Sequence, residues 1–208
     1  MRFENSNTEQ PPFLVRPAPI AERNRPGSHG FGRGSLPSFG TREGIVRVPT
    51  LQEIERRLQA LEDERDIRRV LVRYGFNADL GRSEAYAELF TEDGVLDLQP
   101  GLIEPSRYVG HDELLTMITG PAHKAIEGHC QHQMEGPPMI VYVDGDSAVA
   151  EGYSITYVRE EDGTAQVLMN SFNRWTLKRT EGDWKIRECY RRPMGSEGQA
   201  DVFKRTLS

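Results

Sequence analysis

Residues 128–134 read GHCQHQM, bringing His129, Cys130 and His132 together just ahead of the β-rich run PPMIVYVDGDSAV. Imidazole and thiol groups can bind zinc, move protons near neutral pH, or attack as nucleophiles. Each chemistry makes its own demand. Zinc needs three or four converging ligands. Here His123, His129, Cys130 and His132 would have to meet from one irregular loop, so no metal is expected. A nucleophilic cysteine needs a base with its orienting partner, and neither is readable around Cys130. A general base needs only one imidazole facing a cavity. His129 and His132 are three residues apart, and odd spacing in a strand sends side chains to opposite faces. At most one of them then faces a cavity, and residue type does not say which.

Two later residues pose the same question of facing. In Asn173-Arg174-Trp175 alternation puts Phe172, Arg174 and Thr176 on one side and Asn173, Trp175 and Leu177 on the other. An arginine on a concave face would stabilise an enolate or bind a carboxylate; on a convex face it would be solvated. Tyr153 would polarise a substrate carbonyl if its hydroxyl pointed inward. Trp184, Ile186 and Tyr190 alternate and read as core or dimer-face packing.

The elements that must hold these groups are legible from punctuation and period. Thr50 followed by Glu53 is a capping box that opens a helix. Apolar residues recur at Leu51, Ile54, Leu58, Leu61, Ile67, Val70, Leu71 and Tyr74, with Glu64–Arg68 as an i,i+4 pair. Gly81 stops it. A short helix is expected over 83–90, strands near 95–98 and 108–109, and another helix over 112–119. From Gln131 the period becomes two. The turns Asp144-Gly145-Asp146, Glu161-Asp162-Gly163 and Glu181-Gly182-Asp183 divide strands over 139–143, 148–158, 166–178 and 184–191. Helices first and a meander last give an α+β fold with helices on one face of a curved antiparallel sheet.

Composition bounds the function. Residues 1–49 hold seven of the 13 prolines and six of the 20 glycines and show no period, which predicts a disordered or extended arm. The stretch SHGFGRGSLPSFG within it could dock on a protein partner as an extended peptide. The arm carries seven Arg against four Glu, whereas the whole chain is at −6, so the folded part is acidic. That argues against nucleic-acid binding. No apolar run is long enough for a membrane span or a secretory leader. Cys130 and Cys189 are distant, in no CxxC spacing, and read as free thiols of a cytoplasmic protein. No GxGxxG or GxxxxGK motif marks a nucleotide site, and no cofactor is expected.

Three stretches together, IRRVLVRYGFNADLGRSEAYAELFTEDGVLD, HQMEGPPMIVYVDGDSAVAEGYSI and NRWTLKRTEGDWKIRECYRR, resemble the SnoaL-like branch of the nuclear-transport-factor-2-like superfamily. The resemblance spans 50–195 and leaves 196–208 as a C-terminal tail. It implies a cone in which the sheet wraps a long helix and encloses a deep pocket, commonly in a homodimer. Relatives include polyketide cyclases, dehydratases, dehydrochlorinases and isomerases, alongside non-catalytic binding modules. Their catalytic residues imply Asp79 near the end of the first helix, Tyr74 five residues earlier, and a histidine entering a pocket strand. His132 is preferred for its closeness to PPMIVYVDGD, with His129 retained. Tyr153, Arg174, Phe76 and Trp175 are the substrate-contact candidates.

Helical geometry qualifies this set. Five residues turn about 500°, so Tyr74 and Asp79 point roughly 140° apart and share a pocket only if it curls over the helix end or the helix loosens near Gly75. The helix dipole and burial are both expected to raise the Asp79 pKa. The function expected is a cofactor-independent lyase or isomerase acting on a hydrophobic small molecule. Its rival is a binding or assembly module that docks through residues 1–49. A hydrolase would need a second acid from Glu135, Glu151 or Glu188.

Overall fold

A carboxylate at each end staples the packed half of one long helix to the sheet. The computed structural model describes residues 48–101, 104–134 and 139–207. All but the last two residues of the expected arm lie outside these, as does Glu135. Helix α1, Leu51–Asp79, opens on the capping box foreseen at Thr50: the Glu53 N–H donates to Thr50 Oγ1 at 3.2 Å and the Thr50 N–H to Glu53 Oε2 at 2.7 Å. Its first turns stand clear of the sheet, with Leu51, Ile54, Leu58 and Leu61 exposed. From Asp63 onward it is packed, burying Ile67, Val70, Leu71, Tyr74 and Ala78. At the near end Asp63, 5% exposed, accepts from Arg179 Nη2 at 2.6 Å and Trp184 Nε1 at 3.3 Å. Asp79 marks the far end.

Next come α2 (Ser83–Ala87), β1 (Phe90–Asp97), β2 (Arg107–Val109), α3 (Gly110–Thr119) and α4 (Pro121–Lys124). Strand β1 begins where the second helix was expected to end, and α4 was not foreseen at all. The sheet is completed by β3 (Cys130–Gln133), β4 (Met139–Asp144), β5 (Ser147–Arg159), β6 (Ala165–Thr180) and β7 (Asp183–Pro193). The strand order is β2-β1-β7-β6-β5-β3, with β4 also on β5. Strands β4 and β3 share one edge of β5, against 147–152 and 155–158 respectively. The fold is α+β, with α1 in the curve of an unclosed sheet. One pairing departs from the antiparallel expectation: β1 lies parallel to β7. No helix among the described residues is long and apolar enough to cross a membrane.

Two irregularities decide which side chains face the helix. Strands β6 and β7 pair Thr176 with Glu188 but Leu177 with Ile186, so Arg187 is an extra residue, a β-bulge. Before it Trp184 and Ile186 face inward; after it Cys189 and Arg191 do. Tyr190 therefore lies outside, under the guanidiniums of Arg192 and Arg174, where plain alternation had put it on the same face as Trp184 and Ile186. Leu168 is the corresponding extra residue of β6 against β5.

The residues after 195 are built into the fold. A 3₁₀ turn, Gln199–Phe203, and a short helix α5, Lys204–Leu207, lie on the outer face of the sheet. Val202 is fully buried there, and Phe203 packs edge-on against Tyr153 and tilted against Phe172. Glu151, 2% exposed, accepts from the Arg205 and Thr206 N–H groups.

Removing the near staple leaves the buried Trp184 indole without its acceptor and the half-buried Arg179 with only Asp146. Asp63→Ala is expected to cost about 1–3 kcal/mol, read as a lower urea midpoint at unchanged m-value.

Candidate functional site

The end of α1 meets the edge strand β3 through one carboxylate. An edge strand leaves alternate N–H groups unpaired, and that of His132 is taken by Asp79, at 3.0 Å to each oxygen. The His132 ring turns back to the same group, with Nδ1 2.6 Å from Oδ1. Cys130 shares its face of β3, two residues earlier, and its Sγ donates to Oδ1 at 3.4 Å. Because the acceptor is a carboxylate, the proton of the neutral ring is assigned to Nδ1, which leaves Nε2 with a lone pair at the cavity wall.

This close approach rests on Gly75. A β-carbon there would come within 2.7 Å of the His132 carbonyl oxygen and 3.3 Å of His132 Cβ. The helix itself is unbroken to Asp79.

The electrostatics suit a neutral base beside an ionised carboxylate. Burial pushes the Asp79 pKa up, but hydrogen bonds from the His132 ring and backbone outweigh it and leave it below the usual carboxylate value. The expectation of a raised Asp79 pKa is thereby corrected. Burial lowers the His132 pKa and the Arg191 and His123 neighbours add to this, against the opposing pull of Asp79. Burial pushes the Cys130 thiol up to about 12, helped by the Asp79 charge, which is the opposite of what a nucleophile needs. Asp79, Cys130 and His132 are close enough to suggest a cation site. Yet the 2.6 Å contact is a direct hydrogen bond, and it leaves no room for a cation between Nδ1 and Oδ1.

His132 lines a cavity of about 300 Å³ between the helices and the inner face of the sheet. Tyr74 and Ala78 of α1, Leu96 of β1 and Ile118 of α3 supply much of its apolar wall. Asp79 stands behind His132 and is absent from the lining. This removes the geometric objection to pairing Tyr74 with Asp79, since only Tyr74 has to face the cavity.

The remaining expected residues do not meet there. His129 is exposed, and its carbonyl accepts the Arg159 N–H. Phe76 is 59% exposed on the far side of α1, and Trp175 is fully buried in the core away from the cavity. Arg174 and Tyr153 are on the outer face: Arg174 Nη1 donates to the Asp201 carbonyl, and Tyr153 packs on Phe172 and Phe203. Both are occupied in holding the C-terminal segment. Of the acids weighed for a hydrolase, Glu151 is spent on α5 and Glu188 is on the outer face near Arg107.

Four cavity residues were missed. Arg191 was hidden by the bulge, which reverses the alternation that would have exposed it. Tyr86 read as core. Gln99 had no readable signal. His123 belongs to α4, which Gly120-Pro121 could have announced through the preference of proline for the first helical turn. Its Nε2 bonds the Ala78 carbonyl at 2.9 Å, and its ring lies 6.3 Å from that of His132.

Comparison with known proteins places this geometry in context. Residues 59–190 match the model of the SnoaL-like domain. No curated protein matches the chain. Among solved structures, an NTF2-like protein with a cystatin-like fold from Novosphingobium aromaticivorans is 31% identical, with a TM-score of 0.67, covering 77% of this chain and 99% of its own. A provisionally assigned aromatic ring hydroxylase from the same organism is 26% identical with a TM-score of 0.53, over 65% of this chain and 92% of its own. A provisionally assigned scytalone dehydratase, again from that organism, is 18% identical with a TM-score of 0.55, over 66% and 88%; it supports the fold alone.

Gly75→Ala sets helix preference against this packing. Alanine in an open helix would gain about 1 kcal/mol, but overpacking against a backbone carbonyl costs about 1–3 kcal/mol. The variant is expected to melt below the wild type in a thermal scan, against the usual direction of that substitution.

Proposed function

The chain belongs to the SnoaL-like domain family, and from that premise we propose a lyase or isomerase that works by proton transfer on a small, largely apolar molecule. The observation that carries this reading is the 2.6 Å contact between Asp79 and His132 at the wall of an open cavity. His132 Nε2 removes a proton next to a carbonyl or leaving group. Asp79 holds the tautomer and stabilises the imidazolium that forms. Arg191 and Tyr86, rather than Arg174 and Tyr153, are the donors on hand for the developing oxyanion. Tyr74, buried so that its phenol stays protonated, forms the wall between them. Loss of water, double-bond migration and ring closure all begin with this step, and it calls on no cofactor.

A homodimer formed across the outer face of the sheet, as the resemblance implies, would have to accommodate the C-terminal segment that covers part of it. The rival reading of an assembly module rests on residues 1–49, of which 1–47 lie outside the described residues.

The test is proton abstraction itself. Hydrogen–deuterium exchange at the α-carbon of cyclic ketones and hydroxyketones, followed by NMR, should be accelerated by the wild type and abolished by His132→Gln. No acceleration across such a panel would sink the proposal. In Asp79→Asn the amide oxygen serves the His132 backbone N–H, so the NH₂ group faces Nδ1 and forces the proton onto Nε2. The exchange rate is expected to fall about 10²–10⁴-fold.

The pH profile gives a separate check. The neutral ring is the base and its pKa is lowered, so the rate should climb to a plateau already complete at neutral pH. Its acid limb should lie below the ordinary imidazole value of about 6.5. A limb centred above that value would exclude His132 as the base.

A further inference from the structure

Among the described residues, Arg191 is a cation without a counter-ion. Its residue is 8% exposed, on the inner face of β7. Nε donates to Asn173 Oδ1 at 2.9 Å, and Asn173, itself fully buried, donates to Ser154 Oγ at 2.8 Å and the Ser171 carbonyl at 3.2 Å. This chain of polar groups across β5, β6 and β7 fixes where the guanidinium points. Its Cζ lies 5.6 Å from the centroid of the Tyr74 ring. Among the described residues no carboxylate pairs with it. Asp97 is bound by Arg192 and Arg107, Asp79 by His132, and the rim residue Glu104 accepts from the Gly101 N–H.

Buried polar atoms without partners are few in native proteins and call for an explanation. Four such side-chain atoms occur among the described residues: Arg191 Nη2, Tyr86 Oη, Gln99 Oε1 and Trp175 Nε1. The first three belong to residues of the same cavity. Two are donors, and both residues pack on the Tyr74 ring, with Arg191 Cζ 5.6 Å and the Tyr86 ring 4.9 Å from its centroid; the third is an acceptor. Folding tolerates an uncompensated buried cation only when something supplies the missing charge.

We propose that the cavity takes a small apolar carboxylate, its oxygens on Arg191 and Tyr86 and a neighbouring hydroxyl or N–H on Gln99. A single guanidinium suits a single negative charge, whereas a phosphate dianion would want more cations than this wall offers. Apolar residues such as Leu96, Leu98 and Met117 suit an aromatic or alicyclic body. The inference deepens the reading of the same cavity: the anion would be substrate or product, its charge held by the same donors that face the charge developing when His132 takes the proton.

The experiment compares cinnamate with cinnamamide, a pair alike in shape and differing in charge, by calorimetry against wild type, Arg191→Met, Arg191→Lys and His132→Gln. Wild type should prefer cinnamate by at least about tenfold. Arg191→Lys should keep much of that preference, Arg191→Met should lose it, and His132→Gln should retain it although it no longer exchanges protons. Equal binding of the two compounds to wild type would overturn the proposal. So would failure of benzoate, cinnamate and phenylpyruvate alike to bind, or an unchanged preference in Arg191→Met. If wild type exchanges no protons yet keeps the carboxylate preference, the catalytic reading falls and the anion site stands.

Discussion

The Asp79 carboxylate is the point at which architecture and chemistry become one constraint. It must be satisfied because it is buried, and its donors are the open N–H of an edge strand, the ring of the same residue and the Cys130 thiol. Meeting that need docks β3 onto the end of α1, selects the His132 tautomer, and presents the other ring nitrogen to the cavity. A carboxylate that only capped the strand would leave the imidazole free to rotate. One that only oriented the imidazole would leave the strand edge open. Asp63 plays the purely structural half of this role at the other end of the packed helix, where its partners are an arginine and a tryptophan away from the cavity.

Much of the fold was legible because its signals are local. The capping box at Thr50, the helical period through Tyr74 and the Asp-Gly turns each depend on residues within a few positions, and all appear where expected. The pairing of β1 with β7 was not legible. It joins strands some ninety residues apart in parallel, and no turn announces it. The site divides in the same way. His129 and His132 do part, one to solvent and one to the cavity, but His129 lies in the turn before β3, so strand alternation is not what separates them. Arg174 and Arg191 could not be told apart by period, because the bulge at Arg187 lies between the readable turn and the residue that matters.

The two faces of the sheet show what each is for. The inner face of β5 carries Ala148, Ala150, Ser154 and Thr156, small side chains that leave room for the helix and the cavity. Its outer face carries Glu151 and Tyr153, which hold the C-terminal segment. Arg174, Tyr153 and Glu151, with obvious chemical potential, thus serve structure, while Arg191, Tyr86 and Gln99, which line the cavity beside His132 and Tyr74, looked ordinary in sequence.

The bulge in β7 has a bearing on how such a site can change over time. Strand residues report to one face or the other in strict alternation, so the extra residue acts as a phase marker for everything downstream of it. Flattening the bulge with every residue kept would pair Arg187 with Thr176 and carry Arg191 to the outside, whereas loss of the Arg187 codon would leave Arg191 facing the cavity. Frame along a strand, as much as residue identity, is therefore a heritable variable of this scaffold. Two descendants of one ancestor could share nearly every amino acid, and one still present a tyrosine where the other presents an arginine.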